Sequence, residues 1–505
     1  MNKIDESPMA EVSQPESGSK HDPTRALIAA LNRRQVRYCH WKSNIRLPET
    51  MSGDEDLDVL VSRLDAEPFL AALSEVGFKL ADSRYGAGHP GVIHAFRPDA
   101  TCSKLLHVHA YFQVISGDSL VKSFRLPFED LLLDGDHVDH GLPVPARDAE
   151  LVTFLLRIVL KHTSLAECLL VNRHYDAVPD ELSWLLDQCD EDAGRALWIA
   201  RVPGTTDAEF DDILEAVADP SAVLRRIRLG LRLSWRLRDW RRLGPISGFA
   251  SRMWRLGLLV VCRIRRRRPR RLIAGGAIVA LVGPKASGKS TLGKALASRI
   301  GKQIDLRRIH VGKPPATLLS APFRLLLPLL RRVMSAERSS EYQRPERRAE
   351  QRYSLAYVAR MTLLAYDRRA LLLRSRRAAS SGAIIVADRY PSTGTGVIDS
   401  SQFSEAAVEA CESKLKRFLM HHERKLYADL PAPDLVIRLN APIETTIHRD
   451  ATRDKADAPD PDSLRRRREI ETVAEFPGTP VLEISTDCPL EQSAAGVVRG
   501  VWKHL

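Results

Sequence analysis

Between Gly283 and Thr291 the chain reads GPKASGKST, which puts Gly283, Gly288, Lys289 and Ser290 in the spacing G-x-x-x-x-G-K-[ST]. The apolar run AIVALV precedes it and LGKALASRI follows, so the loop joins a strand to a helix, the setting in which this spacing wraps phosphates. Glycine lets backbone N–H groups close on phosphate oxygens, and the helix N-terminus adds partial positive charge. Lys289 is placed to reach the β- and γ-phosphates and Ser290 to ligate Mg²⁺, with Ser287 and Thr291 completing the cradle. The chemistry expected here is binding of ATP (or GTP) with Mg²⁺. The alternative is a glycine-rich turn that holds no ligand.

Two later stretches supply partners for that chemistry. GAIIVADRYPSTGTG ends an apolar strand in Asp388, and a carboxylate at a strand tip beside the loop is where Mg²⁺ is held, directly or through water. Arg389 next to it is in reach of a second phosphate. Further on, LVIRLNAPIETTIHRDATRDKADAPD carries Arg449, Arg453 and Lys455 and then a polar, Pro/Asp-rich stretch. Phosphoryl transfer depends on positioning and on cations around the transferring group, which an arginine-bearing lid that excludes water would provide. The later LRRRRE run reads as a solvated helix face.

Taken in order, GPKASGKST, the helix with AYDRRALLL, DRYP, the arginine segment and the last strand VLEISTDCPLEQ resemble thymidylate kinase and related nucleoside monophosphate kinases over about 272–505. The resemblance implies that Arg368 and Arg389 grip the acceptor phosphate, that Arg449 and Arg453 serve the lid, and that STDCP borders the adenine. The sequence departs after the second strand. Where thymidylate kinases carry an acidic or Arg-Pro element for the acceptor, this chain has the long basic segment beginning IHVGKPPATLL, in which Lys313 is the candidate acceptor contact. The acceptor is therefore left open between a nucleoside monophosphate-like molecule and a sugar or phosphate compound. A phosphate acceptor needs no strong base, whereas a hydroxyl acceptor does, and Asp388 is the candidate.

The first half holds a different pattern. Asp56 and Asp58 are one residue apart at a strand end, point the same way, and have the geometry to share divalent metal. With Lys42–Ser43 ahead of them they resemble the paired-carboxylate motif of polymerase-β superfamily nucleotidyltransferases. Lys42 stands where that family has glycine, and the strand expected to bring a third acid reads LLHVHAYF, with His107 and His109 instead. Those departures imply an altered or inactive site. The two histidines are open to metal ligation or to packing on one strand face. Joined to the kinase-like half, this module resembles bacterial proteins associated with exopolysaccharide or cell-surface glycan synthesis, which implies a place in surface-polysaccharide metabolism.

At 505 residues the chain is long enough for two or three cores. Positions 1–23 are polar and Pro/Ser-rich and read as a disordered tail with no apolar signal core. The strand patterns LDVLV, VIHAF and LLHVHAYFQVI place an α+β module at 24–147, which the resemblance implies is nucleotidyltransferase-like, with a helical extension over 148–220. From 272 short apolar runs alternate with helices, which predicts a parallel sheet flanked by helices and an α/β class for the kinase-like module.

Charge marks the same boundaries. Residues 1–220 carry 21 Lys/Arg and 37 Asp/Glu, net −16, whereas 221–271 carry 17 Arg and one Asp, net +16. That arginine bridge interleaves Leu, Trp and Ile at helical spacing. Packing on the acidic first half or a second subunit is favoured over an anionic membrane surface, and both over nucleic acid. Seven scattered cysteines without a C-x-x-C pair point to a reducing cytoplasm, and no apolar run nears the roughly 18–20 residues needed to span a bilayer. The expectation is a cytoplasmic ATP-dependent phosphotransferase, peripheral to the membrane if the bridge binds it. A regulatory or scaffold ATPase acting at a membrane or assembly is the alternative.

Overall fold

The computed structural model describes residues 22–82, 88–161, 163, 175, 177–264, 270–324, 353–395, 399–451 and 475–505. Arg453, Lys455, LRRRRE, the tail to residue 21 and the greater part of the basic segment after HVGKPP lie outside them. The end of the expected tail has a structural role. Asp22 accepts from the Thr24 amide and Pro23 opens the first helix, Pro23–Arg33, a combination that starts helices because the early amides need an outside acceptor.

The first sheet has five strands, β1 (Tyr38–His40), β2 (Leu57–Val61), β3 (Lys79–Ala81), β4 (Val92–Pro98) and β5 (Leu105–Tyr111), in the order β1-β2-β5-β4-β3. Only β2 and β5 run parallel. The period of two sorts their side chains by face. Val59 and Val61 of β2 and Leu106, Val108 and Ala110 of β5 pack on the first helix and on Phe69 and Leu73. Asp58, His107, His109 and Tyr111 therefore share the other face, toward the helical half. Two short hairpins follow, β6 (Ile115–Ser116) with β7 (Phe124–Arg125) and β8 (His137–Asp139) with β9 (Leu142–Val144).

Helices Arg147–Lys161, Ala177–Gln188, Glu191–Arg201 and Asp207–Ala218 build a core around Leu151, Leu155, Trp198 and Phe210. The arginine bridge divides in two. Helix Val223–Arg236 buries Leu229 and Leu233 in that core, Arg225 pairs with Glu215 at 2.8 Å and with Asp212, and Arg236 pairs with Glu209 at 2.5 Å. Arg226 is buried whole, giving its protons to the Ala216 and Pro220 carbonyls at 3.0 Å. The second helix, Pro245–Ile264, buries none of its residues. It is held by Arg252 on Asp118 at 3.1 Å and by Arg255 on the Gly88 carbonyl at 2.7 Å.

The second sheet is wholly parallel: β10 (Ile278–Val282), β11 (Leu306–His310), β12 (Ile384–Asp388), β13 (Leu435–Asn440) and β14 (Val481–Ser485), ordered β11-β12-β10-β13-β14. The central strands β10 and β12 are apolar up to their last residues because both faces are covered, whereas the edge strands β11 and β14 are half-exposed and carry Arg307, Arg308, His310 and Glu483. Val279 and Leu281 meet Leu292, Leu296, Val497 and Val501 of helices Lys289–Arg299 and Leu490–His504. Ile278 and Ala280 meet Leu372 and Ala379 of the long helix Leu355–Ser380. Leu272 bridges to Ala81, Trp502 donates to the Gly77 carbonyl at 3.1 Å, and Phe96 and Leu105 join the same apolar cluster as Val279, so the two modules share a core.

Candidate functional site

β10 lies between β12 and β13, so the connections leave it on both sides and open a crevice at the carboxyl ends of these strands, where α/β sheets bind ligands. The phosphate loop fills that position. Gly283 follows β10 at φ 142°, and a Cβ there would stand 2.6 Å from the Leu439 carbonyl, so no other residue fits. Lys289, first in its helix, turns back to donate to the Gly283 and Pro284 carbonyls at 2.7 and 2.8 Å. Ser287 Oγ is fully buried within the loop and has no hydrogen-bond partner among the described residues. A cradle too tight for a side chain, with an orphaned hydroxyl and a cation at its rim, suits a polyphosphate. Thr291 is exposed one turn into the helix.

Parallel pairing sets Leu281 beside Asp388 and brings the ends of β10 and β12 level. Across that seam Ser290 Oγ donates to Asp388 Oδ2 at 2.8 Å. A hydroxyl and a carboxylate in direct contact beside a phosphate loop form the oxygen-rich donor set that Mg²⁺ prefers. Arg389 then turns the chain at φ 67°, a conformation that costs a residue with a Cβ about 1–3 kcal/mol and is concentrated at functional sites.

Arg368 and Arg389 converge on a carboxylate that sequence reasoning passed over. Arg368 donates to Asp399 Oδ1 at 2.5 Å, to the Val311 carbonyl at 3.2 Å and to the Tyr427 hydroxyl at 2.5 Å. Arg389 reaches Asp399 Oδ2 at 3.3 Å. The Arg368 side chain is only 5% exposed and that of Arg389 is 35% exposed, so Arg389 is the more accessible of the two. Gly312 of HVGK lies against the Asp399 carboxylate, and Lys313 beside it is exposed. A cavity of about 380 Å³ opens next to this cluster, lined by Tyr390, Ser392, Ser401, Arg424, Tyr427 and Phe476 among others. Glu423 behind it is pushed up to about 7 by burial, against the hydrogen bonds from the Gln402 amide at 2.9 Å and Ser401 at 2.7 Å.

Arg449 donates to the Thr486 carbonyl at 2.8 Å and so ties its helix, Ile443–Ala451, to the STDCP segment. Thr445 adds a bond to Asp487 at 3.0 Å.

The N-terminal carboxylates have partners of their own. Asp56 meets His107 Nδ1 at 2.9 Å. Asp58 meets His109 Nδ1 at 2.9 Å and Lys42 Nζ at 2.8 Å. Burial pushes the Asp58 carboxyl up, but Lys42 and His109 outweigh it and hold the group well below the usual range. His94, opposite His109 in the β4–β5 register, stacks on both other histidines, and burial holds it down at about 2. Tyr111 accepts from Lys42 at 2.9 Å and from Lys122 at 3.0 Å. The described residues include no group of three or more His, Cys, Asp or Glu with metal-binding geometry.

No protein-family model matches the chain, and no curated protein does. Among solved structures it is similar to a thymidylate kinase from Candida albicans, with 16% identity, 45% of this chain and 90% of that one covered, and a TM-score of 0.26. It is also similar to an unliganded sugar kinase from a Janibacter species, with 13% identity, 44% and 93% coverage, and a TM-score of 0.22. Neither likeness is deep enough to carry a residue's role across, so the site rests on its own geometry.

Proposed function

We propose that the chain is an ATP- and Mg²⁺-dependent phosphotransferase whose C-terminal module passes the γ-phosphate to a nucleoside monophosphate-like or sugar/phosphate acceptor, in surface-polysaccharide metabolism. The observation that carries this reading is the 2.8 Å contact between Ser290 and Asp388 at the mouth of the phosphate loop. Mg²⁺ bound there would neutralise charge on the transferring phosphoryl group. Lys289 and the loop amides hold the donor phosphates, and Ser287 gains a partner for its buried hydroxyl. The cavity beside Tyr390 and Tyr427 supports an acceptor seat, with Arg389 next to its lining residue Tyr390 in the chain and Arg368 fixing Asp399. Arg449 and the STDCP segment fit the base side of the donor.

The paired carboxylates, Asp56 just before β2 and Asp58 within it, beside the parallel strand β5, support a nucleotidyltransferase-like reading of the N-terminal module. Their ion pair with Lys42 and their contacts with His107 and His109 argue that it does not perform metal-dependent nucleotidyl transfer.

A second reading, an ATPase that works at a membrane surface, has one observation behind it. Helix Pro245–Ile264 sets Ile246, Phe249, Met253, Val260 and Ile264 in one exposed stripe. Measuring ADP formation with and without a panel of sugar phosphates and nucleoside monophosphates separates the two. Stimulation by one acceptor class, lost in Lys289→Ala, is expected, whereas acceptor-independent turnover favours the second reading.

A further inference from the structure

The N-terminal module contains a second site suited to phosphate. A cavity of about 150 Å³ lies against β5 and β6, lined by Lys42, Lys122, Arg157 and Lys161 together with Trp41, Tyr111, Ser116, Gly117 and Ser119. Four cationic side chains from three segments meet there, and no carboxylate is among the described residues that line it. The volume has room for a group the size of one phosphoryl.

Charge balance sharpens this. Lys42 is matched by Asp58, and Glu181, whose field acts with Arg157 and Lys161, is itself pushed toward its neutral form by burial. Arg157 and Lys161 sit one helical turn apart, a like-charge spacing that costs an isolated helix stability. The cations rest partly on aromatic faces, Lys122 at 4.8 Å from the Tyr111 ring centre and Arg157 at 5.3 Å from that of Trp41. Burial, then Lys42, push the Lys122 ammonium well below its ordinary value. A dianion would relieve that repulsion. Independently, Ser116 is 5% exposed and lines the same cavity, and its buried Oγ has no hydrogen-bond partner among the described residues. A buried hydroxyl left unpaired is costly unless something arrives to bond it.

We infer that this cavity binds the phosphoryl group of a phosphate monoester without a divalent metal, gripped by Lys42, Lys122, Arg157, Lys161 and Ser116. The metal is dispensable because Lys42 already neutralises Asp58, while His109 and His107 are bonded to Asp58 and Asp56. The site is separate from the phosphate loop and does not rest on the kinase reading.

The test is calorimetric titration of the full-length chain carrying Lys289→Ala, in EDTA, with inorganic phosphate, glucose 1-phosphate and AMP in separate runs. At least one probe is expected to bind at a site that the substitutions below weaken, apart from any binding at the C-terminal acceptor seat, and the tightest such probe identifies the carrier. Lys122→Met and Arg157→Met should each weaken it by about tenfold or more, and Ser116→Ala by several-fold. Should the cation variants fail to fold, Ser116→Ala alone decides. Absence of binding by all three probes, a requirement for added Mg²⁺, or unchanged affinity in the folded variants would each overturn the inference.

Discussion

Ser290 and Asp388, 98 positions apart in sequence, stand 2.8 Å from each other because parallel pairing of β10 with β12 brings both strand ends to one edge of the sheet. If that pair holds the metal, its removal should change how ATP affinity depends on Mg²⁺. Ser290→Ala and Asp388→Ala are expected to weaken ATP binding about tenfold in Mg²⁺ and to leave it nearly unchanged in EDTA. Calorimetry under both conditions checks this.

Arg368 and Arg389 share Asp399 but differ in burial, so their loss should be felt in different quantities. Arg368→Ala leaves a buried carboxylate short of its nearest cation and should destabilise the module by about 3–5 kcal/mol, read from denaturant unfolding. Arg389→Ala should leave stability nearly unchanged and lower kcat/KM about a hundredfold through lost transition-state charge stabilisation.

Glu423 makes stability depend on pH. Its folded-state carboxyl is raised to about 7 from an ordinary value of 4.5, so it favours folding below the unfolded value, and that contribution is lost as pH rises through about 7. Glu423→Gln keeps the group neutral. The variant should match the wild type near pH 4.5 and exceed it by about 2–3 kcal/mol at pH 8, measured by unfolding at both pH values.

The stripe on helix Pro245–Ile264 predicts association with anionic vesicles. Co-sedimentation with vesicles containing phosphatidylserine should fall several-fold in the Phe249→Asp/Val260→Asp double variant and at high salt, since both apolar contact and arginine charge contribute. No described helix is long and apolar enough to cross a membrane.

What the sequence made legible is local. Gly283 to Ser290 is one continuous loop between a strand and a helix, and Asp388 closes an apolar run, so both follow from pattern and spacing. Asp399, Tyr427 and His94 were not legible, because each becomes relevant only through long-range pairing. Asp399 is reached by Arg368 across 31 positions, and His94 faces His109 only in the β4–β5 register. The arginine bridge misled in another way. Its composition is uniform, yet Leu229 and Leu233 bury one half in the helical core while the other half stays exposed. Net charge carries no information about that division. Lys42 could be seen as a departure in sequence, but its role as the counter-ion of Asp58 required the fold.

The most direct measurement incubates the full-length chain with γ-labelled ATP, Mg²⁺ and a panel of nucleoside monophosphates, sugars and sugar phosphates, and resolves the labelled products. Label on one acceptor class, absent in Lys289→Ala and strongly reduced in Asp388→Ala, is the predicted result. Label found only as free phosphate, whatever acceptor is supplied, would contradict the assignment of a phosphotransferase.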